Sequence, residues 1–203
     1  MGKARPSQLI AAAAAFTLSA LWQVHADELK CEGPFAPDTT HARLVQVFGA
    51  KNVARKTISD PEGITFKASV LFGKDPARRL EVIWEDEARG RRPARIQFSG
   101  NGWSVAGLQV GAPLAVVEAA NTQPFNLYGF DWDFGGTVSN WNGGALEKLP
   151  GDCALIAMLE ADQSLDDETL NKASGDQEFS SQDPVMKAVH PKIMLLGVRY
   201  SRK

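Results

Sequence analysis

The only two cysteines of this 203-residue chain, Cys31 and Cys153, stand far apart in sequence, and whether they meet decides how the chain's beginning is tied to its later part. The residues ahead of Cys31 bear on that. Lys3 and Arg5 precede an uncharged stretch from Pro6 to Val24, and Val24-His25-Ala26 closes it ahead of Asp27. A charged start, an apolar middle and a small-residue end are the layout of a secretory signal peptide, so residues 1–26 are expected to be removed after Ala26. An N-terminal membrane anchor fits less well, because Leu9 to Trp22 is shorter than the ~20 apolar residues a spanning helix needs. Nor does Cys31 mark a lipid attachment, since it follows Lys30 rather than small residues. The expected location is periplasmic or secreted. There an even pair of cysteines is expected to form a disulfide, which would staple the N-terminal segment onto a later strand. No Cys-x-x-Cys spacing or nearby histidine favours a metal or nucleophilic role for either thiol.

Removing residues 1–26 takes Lys3 and Arg5 from the 22 basic residues and nothing from the 24 acidic ones, leaving a mildly acidic chain. Such a balance gives no electrostatic footprint for nucleic acid. No later apolar run reaches spanning length, so no membrane span is expected after cleavage. The remaining length suffices for one sizeable core.

Turn signals divide that length into short elements. After Gly33-Pro34, Asp38 or Thr39 is placed to cap a helix with Leu44, Val47 and Phe48 on one face, and Gly49 stands at its end. Asp60-Pro61-Glu62-Gly63 and Gly73-Lys74-Asp75-Pro76 separate strands at ITFKASVLF, RLEVIWED and ARIQFSG. In the second of these Leu80, Val82 and Trp84 alternate with Glu81, Ile83 and Glu85, and Ile83 alone breaks the polar side. Gly111-Ala112-Pro113 opens a second helix carrying Leu114, Val117 and Glu118. Strands are expected near 127–134, 137–141 and 153–160, the last, CALIAMLE, as a central buried one. Residues 161–183 are polar and serine-rich and read as a mobile excursion, with a short helix around Asp167 to Lys172. A short helix capped by Asp183-Pro184 and a strand at KIMLLGVRYS close the chain. The expected fold is α+β: two tandem helix-plus-antiparallel-meander halves, 27–110 and 111–203, forming one compact unit. LVQVFGAKNV against LAVVEAANTQPF suggests a weak internal duplication.

The stretch GFDWDFGGTVSNW, residues 129–141, is where chemistry concentrates. Read at period two, Phe130, Trp132 and Phe134 fall on one strand face and Asp131 and Asp133 on the other, with Gly135-Gly136 as a hairpin loop. On that reading the aromatics are core and the aspartates meet solvent or a turn. A calcium loop matches at Asp131, Asp133 and Gly136, but Gly135 fails at the fifth position and Asn142 stands where the bidentate glutamate belongs. Two carboxylates on one strand face would sit ~7 Å apart, within the range of an inverting glycosidase, with Trp132 and Trp141 as sugar platforms. His41 and His190 each lie beside a predicted helix end, with no Gly-x-Ser-x-Gly or His-Glu-x-x-His motif nearby. Arg78, Arg79, Arg89, Arg91, Arg92 and Arg95 form the one basic cluster. Glu85, Asp86 and Glu87 balance it as a solvated loop, the alternative being a site for an acidic partner, lipid headgroup or anionic glycan.

The segment from Leu108 to Leu146 also carries a resemblance. Asn121, Pro124 and Phe125, then Gly129, Phe130, Trp132, Asp133, Gly135 and Gly136, then Trp141, Gly143 and Gly144 spell Asn-x-x-Pro-Phe, Gly-Phe-x-Trp-Asp-x-Gly-Gly and Trp-x-Gly-Gly. This resembles an uncharacterised family of exported bacterial proteins, to which FGAKNV and LFGKDPARRLEVIWED in the first half are also similar. The resemblance implies an exported protein of this layout and brings no activity. At the level of architecture the doubled helix-plus-meander is similar to the superfamily of beta-lactamase inhibitory protein and the outer-membrane assembly lipoproteins, whose members bind proteins.

These readings converge on an exported binding or interaction module of the bacterial envelope, with a glycan-directed hydrolase using Asp131 and Asp133 as the alternative. Candidate partner-binding residues are Asp131, Trp132, Asp133 and Trp141; the expected partner is an envelope protein or glycan. No cofactor and no metal are called for by any complete motif.

Overall fold

The computed structural model describes residues 26–59 and 63–201. The expected signal peptide, but for Ala26, lies outside the described residues, as do residues 60–62 of the first turn. Behind a short N-terminal strand, β1 (Asp27–Glu28), comes helix α1 (His41–Phe48). Its cap is Thr40 rather than Asp38 or Thr39: the Thr40 hydroxyl oxygen accepts from the Arg43 N–H at 3.1 Å. Thr39 is instead fully buried, and its hydroxyl donates to the Pro34 carbonyl. Gly49 ends the helix at φ +83°, as its position suggested. Leu44 is buried and Phe48 half-buried, but Val47 faces solvent, and Val45 packs against the core in its place.

The strands β2 (Val53–Ser59), β3 (Thr65–Leu71), β4 (Leu80–Asp86) and β5 (Arg91–Phe98) then pair in sequence as an antiparallel meander. Alternation on β4 is as read: Leu80, Val82 and Trp84 are buried, Glu81 is half-buried and Glu85 exposed. Strand β6 (Trp103–Ser104) pairs parallel with β1.

The second half opens with α2 (Leu114–Asn121) and runs through β7 (Asn126–Tyr128), β8 (Val138–Asn140), β9 (Cys153–Glu160), α3 (Asp167–Lys172), β10 (Glu178–Ser180), α4 (Pro184–Ala188) and β11 (Lys192–Tyr200). The chain is thus α+β, and the strands of this half are shared between two sheets. Its two long strands extend the first half's meander into one six-stranded sheet of order β2-β3-β4-β5-β11-β9. The short strands form a separate sheet of order β10-β7-β8.

Strand β9 was expected to be central; it is the end strand, with Cys153, Leu155, Ala157 and Leu159 buried and Ala154, Ile156 and Met158 half-buried. A continuous apolar run arises here because loops, not another strand, cover its outer edge. The Leu159 N–H donates to the Gly136 carbonyl at 2.8 Å and the Leu155 N–H to that of Leu146 at 3.2 Å. The inner position belongs to β11, where a Cβ on Gly197 would lie 2.1 Å from the Ile96 carbonyl oxygen, so only glycine lets β5 approach.

The 161–183 segment is not a free excursion. Helix α3 lies where expected, capped by Asp166, whose carboxylate accepts from the Thr169 N–H at 2.9 Å. Beyond it, β10 pairs antiparallel with β7, and Ser181 is fully buried, accepting from the Phe125 N–H at 3.1 Å and donating to Glu118 at 2.8 Å. Polar side chains concealed a segment held through its backbone and through Leu165, Leu170 and Phe179, which pack on the core.

Cys31 and Cys153 are joined, with Cα atoms 6.4 Å apart. Tyr200 stands opposite Cys153 in the ladder and its hydroxyl donates to the Phe35 carbonyl, so the N-terminal segment is fastened to the β9–β11 end twice. Burial pushes the Tyr200 phenol well above its ordinary range. A Cβ on Gly151 would lie 2.2 Å from the Cys31 carbonyl oxygen, so that close approach also requires glycine.

Candidate functional site

The stretch from Gly129 to Gly136 is a folded loop between β7 and β8, not the extended strand that alternation suggested. Asp131 takes φ +63°, which breaks the period-two pattern. The Gly135 N–H donates to the Trp132 carbonyl at 2.8 Å, closing a tight turn over Asp133 and Phe134. The loop is tied to the 161–183 segment by three backbone bonds: Gly129 N–H to Gln177 (2.8 Å), Phe130 N–H to Ala173 (2.9 Å) and Gly175 N–H to the Phe130 carbonyl (2.9 Å). The glycines serve close approach. A Cβ on Gly136, at φ +73°, would lie 1.9 Å from the Leu159 carbonyl oxygen, and one on Gly129 2.5 Å from that of Gly175.

Phe130 is buried, while its neighbours are displayed. Asp131 and Asp133 are exposed, Trp132 is half-buried and Phe134 is 48 % exposed. The Trp132 ring meets both Tyr128 and Phe134 edge-on at 5.3 Å between centroids, and its N–H donates to the Gly129 carbonyl at 2.9 Å. Asp131 accepts from the Ser174 hydroxyl at 2.7 Å. Phe130, Asp131, Trp132 and Asp133, together with Met158, Glu160 and the 38 % exposed Met194, border a notch of about 330 Å³.

Trp141 belongs elsewhere. It is 4 % exposed, packs on Phe125 at 5.2 Å and donates its N–H to the Leu155 carbonyl at 3.0 Å, so it is core and not a binding platform. The rest of its motif is explained by Asn121, a fully buried amide at the end of α2. Its NH₂ group donates to the Gln123 and Trp141 carbonyls, both at 2.9 Å, and its oxygen accepts from the Leu146 N–H at 3.2 Å. A Cβ on Gly144 would lie 2.2 Å from that oxygen. Nothing local in the sequence ties Asn121 to residues some twenty positions later.

Folding the loop also removes the premise of the paired-carboxylate reading. The ~7 Å same-face separation holds only for an extended strand, and Asp131 is in a left-handed turn. Among the described residues no three carboxylate, imidazole or thiol side chains are grouped so as to hold a metal ion.

His41 forms a pairing invisible in the sequence, its Nδ1 lying 2.8 Å from the Ser69 hydroxyl. The Trp84 indole N–H, which can only donate, points to the same oxygen at 3.0 Å. Ser69 therefore accepts from Trp84 and shares a second hydrogen bond with the His41 imidazole. Burial and then the Arg55 charge hold the His41 pKa below its ordinary value. With Ser69 fully buried, the pair is a structural anchor and not a nucleophile. Much of the arginine cluster is spent on ion pairs: Arg78 with Asp27 (3.0 Å), Arg79 with Glu81 (2.6 Å), Arg89 with Asp86 (3.3 Å) and Arg92 with Glu85 (3.1 Å).

A larger groove of about 870 Å³ lies between α2 and the α4–β11 connection and includes His190. It lacked any sequence signal, because its walls come from α2, from the polar segment and from the start of β11. Among the described residues no helix is long and apolar enough to cross a membrane. Fold and site thus define an α+β protein, disulfide-tied, that displays an acidic aromatic turn from a glycine-framed loop. No family model, curated protein or solved structure matches the chain.

Proposed function

We propose that this chain is an exported binding module of the bacterial envelope, without catalysis of its own, whose partner is a glycan resting on Trp132. The supporting observation is the split within one loop: Gly129, Phe130 and Gly136 lock it to the fold, and Asp131, Trp132, Asp133 and Phe134 are left at the surface with the indole held in place. An aromatic face fixed beside two exposed carboxylates offers a sugar an apolar surface for its C–H face and acceptors for its hydroxyls. Export is supported by the Cys31–Cys153 disulfide, which suits an oxidising compartment.

The test is titration of the oxidised protein with soluble envelope oligosaccharides, read by tryptophan fluorescence and by amide shifts. Saturable binding that Trp132→Ala abolishes, with stability retained, is the expected result. If the panel is instead hydrolysed, and Asp131→Asn or Asp133→Asn stops it, the protein is an enzyme and the proposal fails. If no sugar binds, or Trp132→Ala leaves binding intact, the notch is not the site. The export component is checked by the mass of the protein recovered from a bacterial periplasm, expected to begin at Asp27.

A further inference from the structure

The two faces of the six-stranded sheet differ. One carries the core, with Leu196, Val198 and Tyr200 of β11 and Ile96 and Phe98 of β5 buried on it. Residues between these in the alternation point the other way, so Arg95 and Arg199 lie on the outer face, where each is the other's ladder partner. The pairs Ala54–Val70, Val70–Glu81 and Glu81–Gln97 run one row across that face. Two residues along each strand the next row carries Lys56, Ala68, Ile83, Arg95 and Arg199. From β2 to β11 it crosses four strand spacings of ~4.8 Å each, so its cations span roughly 19 Å.

Those cations have no acid to answer them. Among the described residues Lys56, Arg95 and Arg199 form no ion pair or side-chain hydrogen bond. The acids of the six strands are engaged elsewhere. Glu81 is taken by Arg79 at 2.6 Å and Gln97 at 3.1 Å, Glu85 by Arg92 and Asp86 by Arg89, while Glu160 stands opposite Lys192 at the far end of β9.

Two independent observations show that the fold keeps this arrangement at a cost. The Arg95 Nε is buried without a hydrogen-bond partner, and such a group forfeits its hydration uncompensated. Like charges directly opposite on a ladder, as at Arg95 and Arg199, destabilise a sheet. What holds the Arg95 guanidinium is the Phe66 ring, 5.3 Å away at its centroid, rather than a carboxylate.

We infer that the outer face of the six-stranded sheet is a docking surface for an acidic polysaccharide, whose carboxylates lie along Lys56, Arg95 and Arg199. Charge complementarity sets the occupant: uncompensated cations in a line, on a chain that is acidic overall, fit a linear polyanion. Arginine adds paired N–H donors that match a carboxylate. A bilayer would call for charge spread over the face, and the row from Ala54 to Gln97 has no cation. The apolar residues alongside, Ile58, Phe66 and Ile156, are half-buried rather than displayed for insertion into lipid. The surface is separate from the Trp132 notch, where Asp131, Asp133 and Glu160 would repel the same ligand.

The experiment titrates the oxidised protein with a short oligogalacturonate, its carboxyl-reduced neutral counterpart, an oligoglutamate peptide, and vesicles of phosphatidylglycerol with phosphatidylethanolamine. Amide shifts report the soluble probes and cosedimentation the vesicles. Oligogalacturonate is expected to move the amides of 95–97 and 197–199 saturably, and less as salt rises. Arg95→Gln with Arg199→Gln is expected to weaken binding by about tenfold or more. That variant should melt no lower than the parent, because the facing like charges are gone. Arg43→Gln on α1 and Trp132→Ala should change nothing. Equal binding of the neutral counterpart, or an equal loss from Arg43→Gln, would overturn the role of the row. Tighter binding of oligoglutamate or of the vesicles would overturn the polysaccharide as occupant. If Trp132→Ala alone abolishes binding, the ligand sits at the notch, and this inference fails while the glycan reading stands. No shift of these amides at millimolar oligogalacturonate in low salt would overturn the surface.

Discussion

The meander of residues 53–98 and the half from 111 onward are built by different rules. In the first, each strand pairs with the next one in the chain, so alternation on β4 and the turns around it suffice to describe it. In the second, β11 joins β5 across nearly a hundred residues, β10 within the polar segment reaches back to β7, and the disulfide ties β9 to the N-terminal segment. Stability in the second half therefore rests on a few long-range contacts, and the candidate site lies on a loop between them.

The largest test of that difference is Cys31→Ser with Cys153→Ser. Opening so long a loop is expected to cost about 4 to 5 kcal/mol in the chain-entropy model, measured by urea unfolding beside the oxidised parent. Hydrogen exchange should rise first at the β9–β11 end and least in β3–β4. A uniform loss across both regions would show that they unfold as one and blunt the comparison. Next in size is Trp141→Ala, expected to cost about 3 to 5 kcal/mol as a buried aromatic, whereas Trp132→Ala, nine residues earlier in the same motif, should cost under about 1 kcal/mol and act on binding instead. Equal losses at the two tryptophans would contradict their placement. Asn121→Ala removes a buried amide that bonds to three backbone groups and should cost roughly 2 to 3 kcal/mol, with thermal unfolding as the measure.

The smallest effect concerns the meander. His41 has a folded pKa below its ordinary 6.5 because burial and Arg55 disfavour its charged form. The neutral form is therefore the one the fold prefers. The stability this contributes is fully present above about pH 6.5 and is lost as pH falls below it, since the unfolded chain then takes up the proton more readily. His41→Gln should flatten that part of the pH profile; an unchanged profile would mean that His41 is solvated like the unfolded chain.

Legibility followed the same division. The α3 span, the meander and the disulfide partners could all be read from residue patterns. The shape of the loop from Gly129 to Gly136 could not. Its alternation of aromatic and acidic residues satisfies a strand, and only the backbone bonds to Ala173, Gly175 and Gln177 favour a compact turn, which puts Phe130 inside and Phe134 outside. Trp132 and Trp141 are chemically equal in the sequence, and which is displayed depends on Phe125 and the Leu155 carbonyl meeting one of them.

What the sequence by itself determined is what local chemistry controls: turns where glycine and proline restrict φ, faces where apolar residues recur, and two cysteines that an oxidising compartment would join. What only the tertiary structure decided is which segments share a sheet, that a polar stretch supplies a strand, and where a notch opens beside Trp132 and a groove beside α2. Those outcomes depend on backbone groups, which are the same in every residue, finding partners far along the chain, and side-chain patterns carry little record of such pairings.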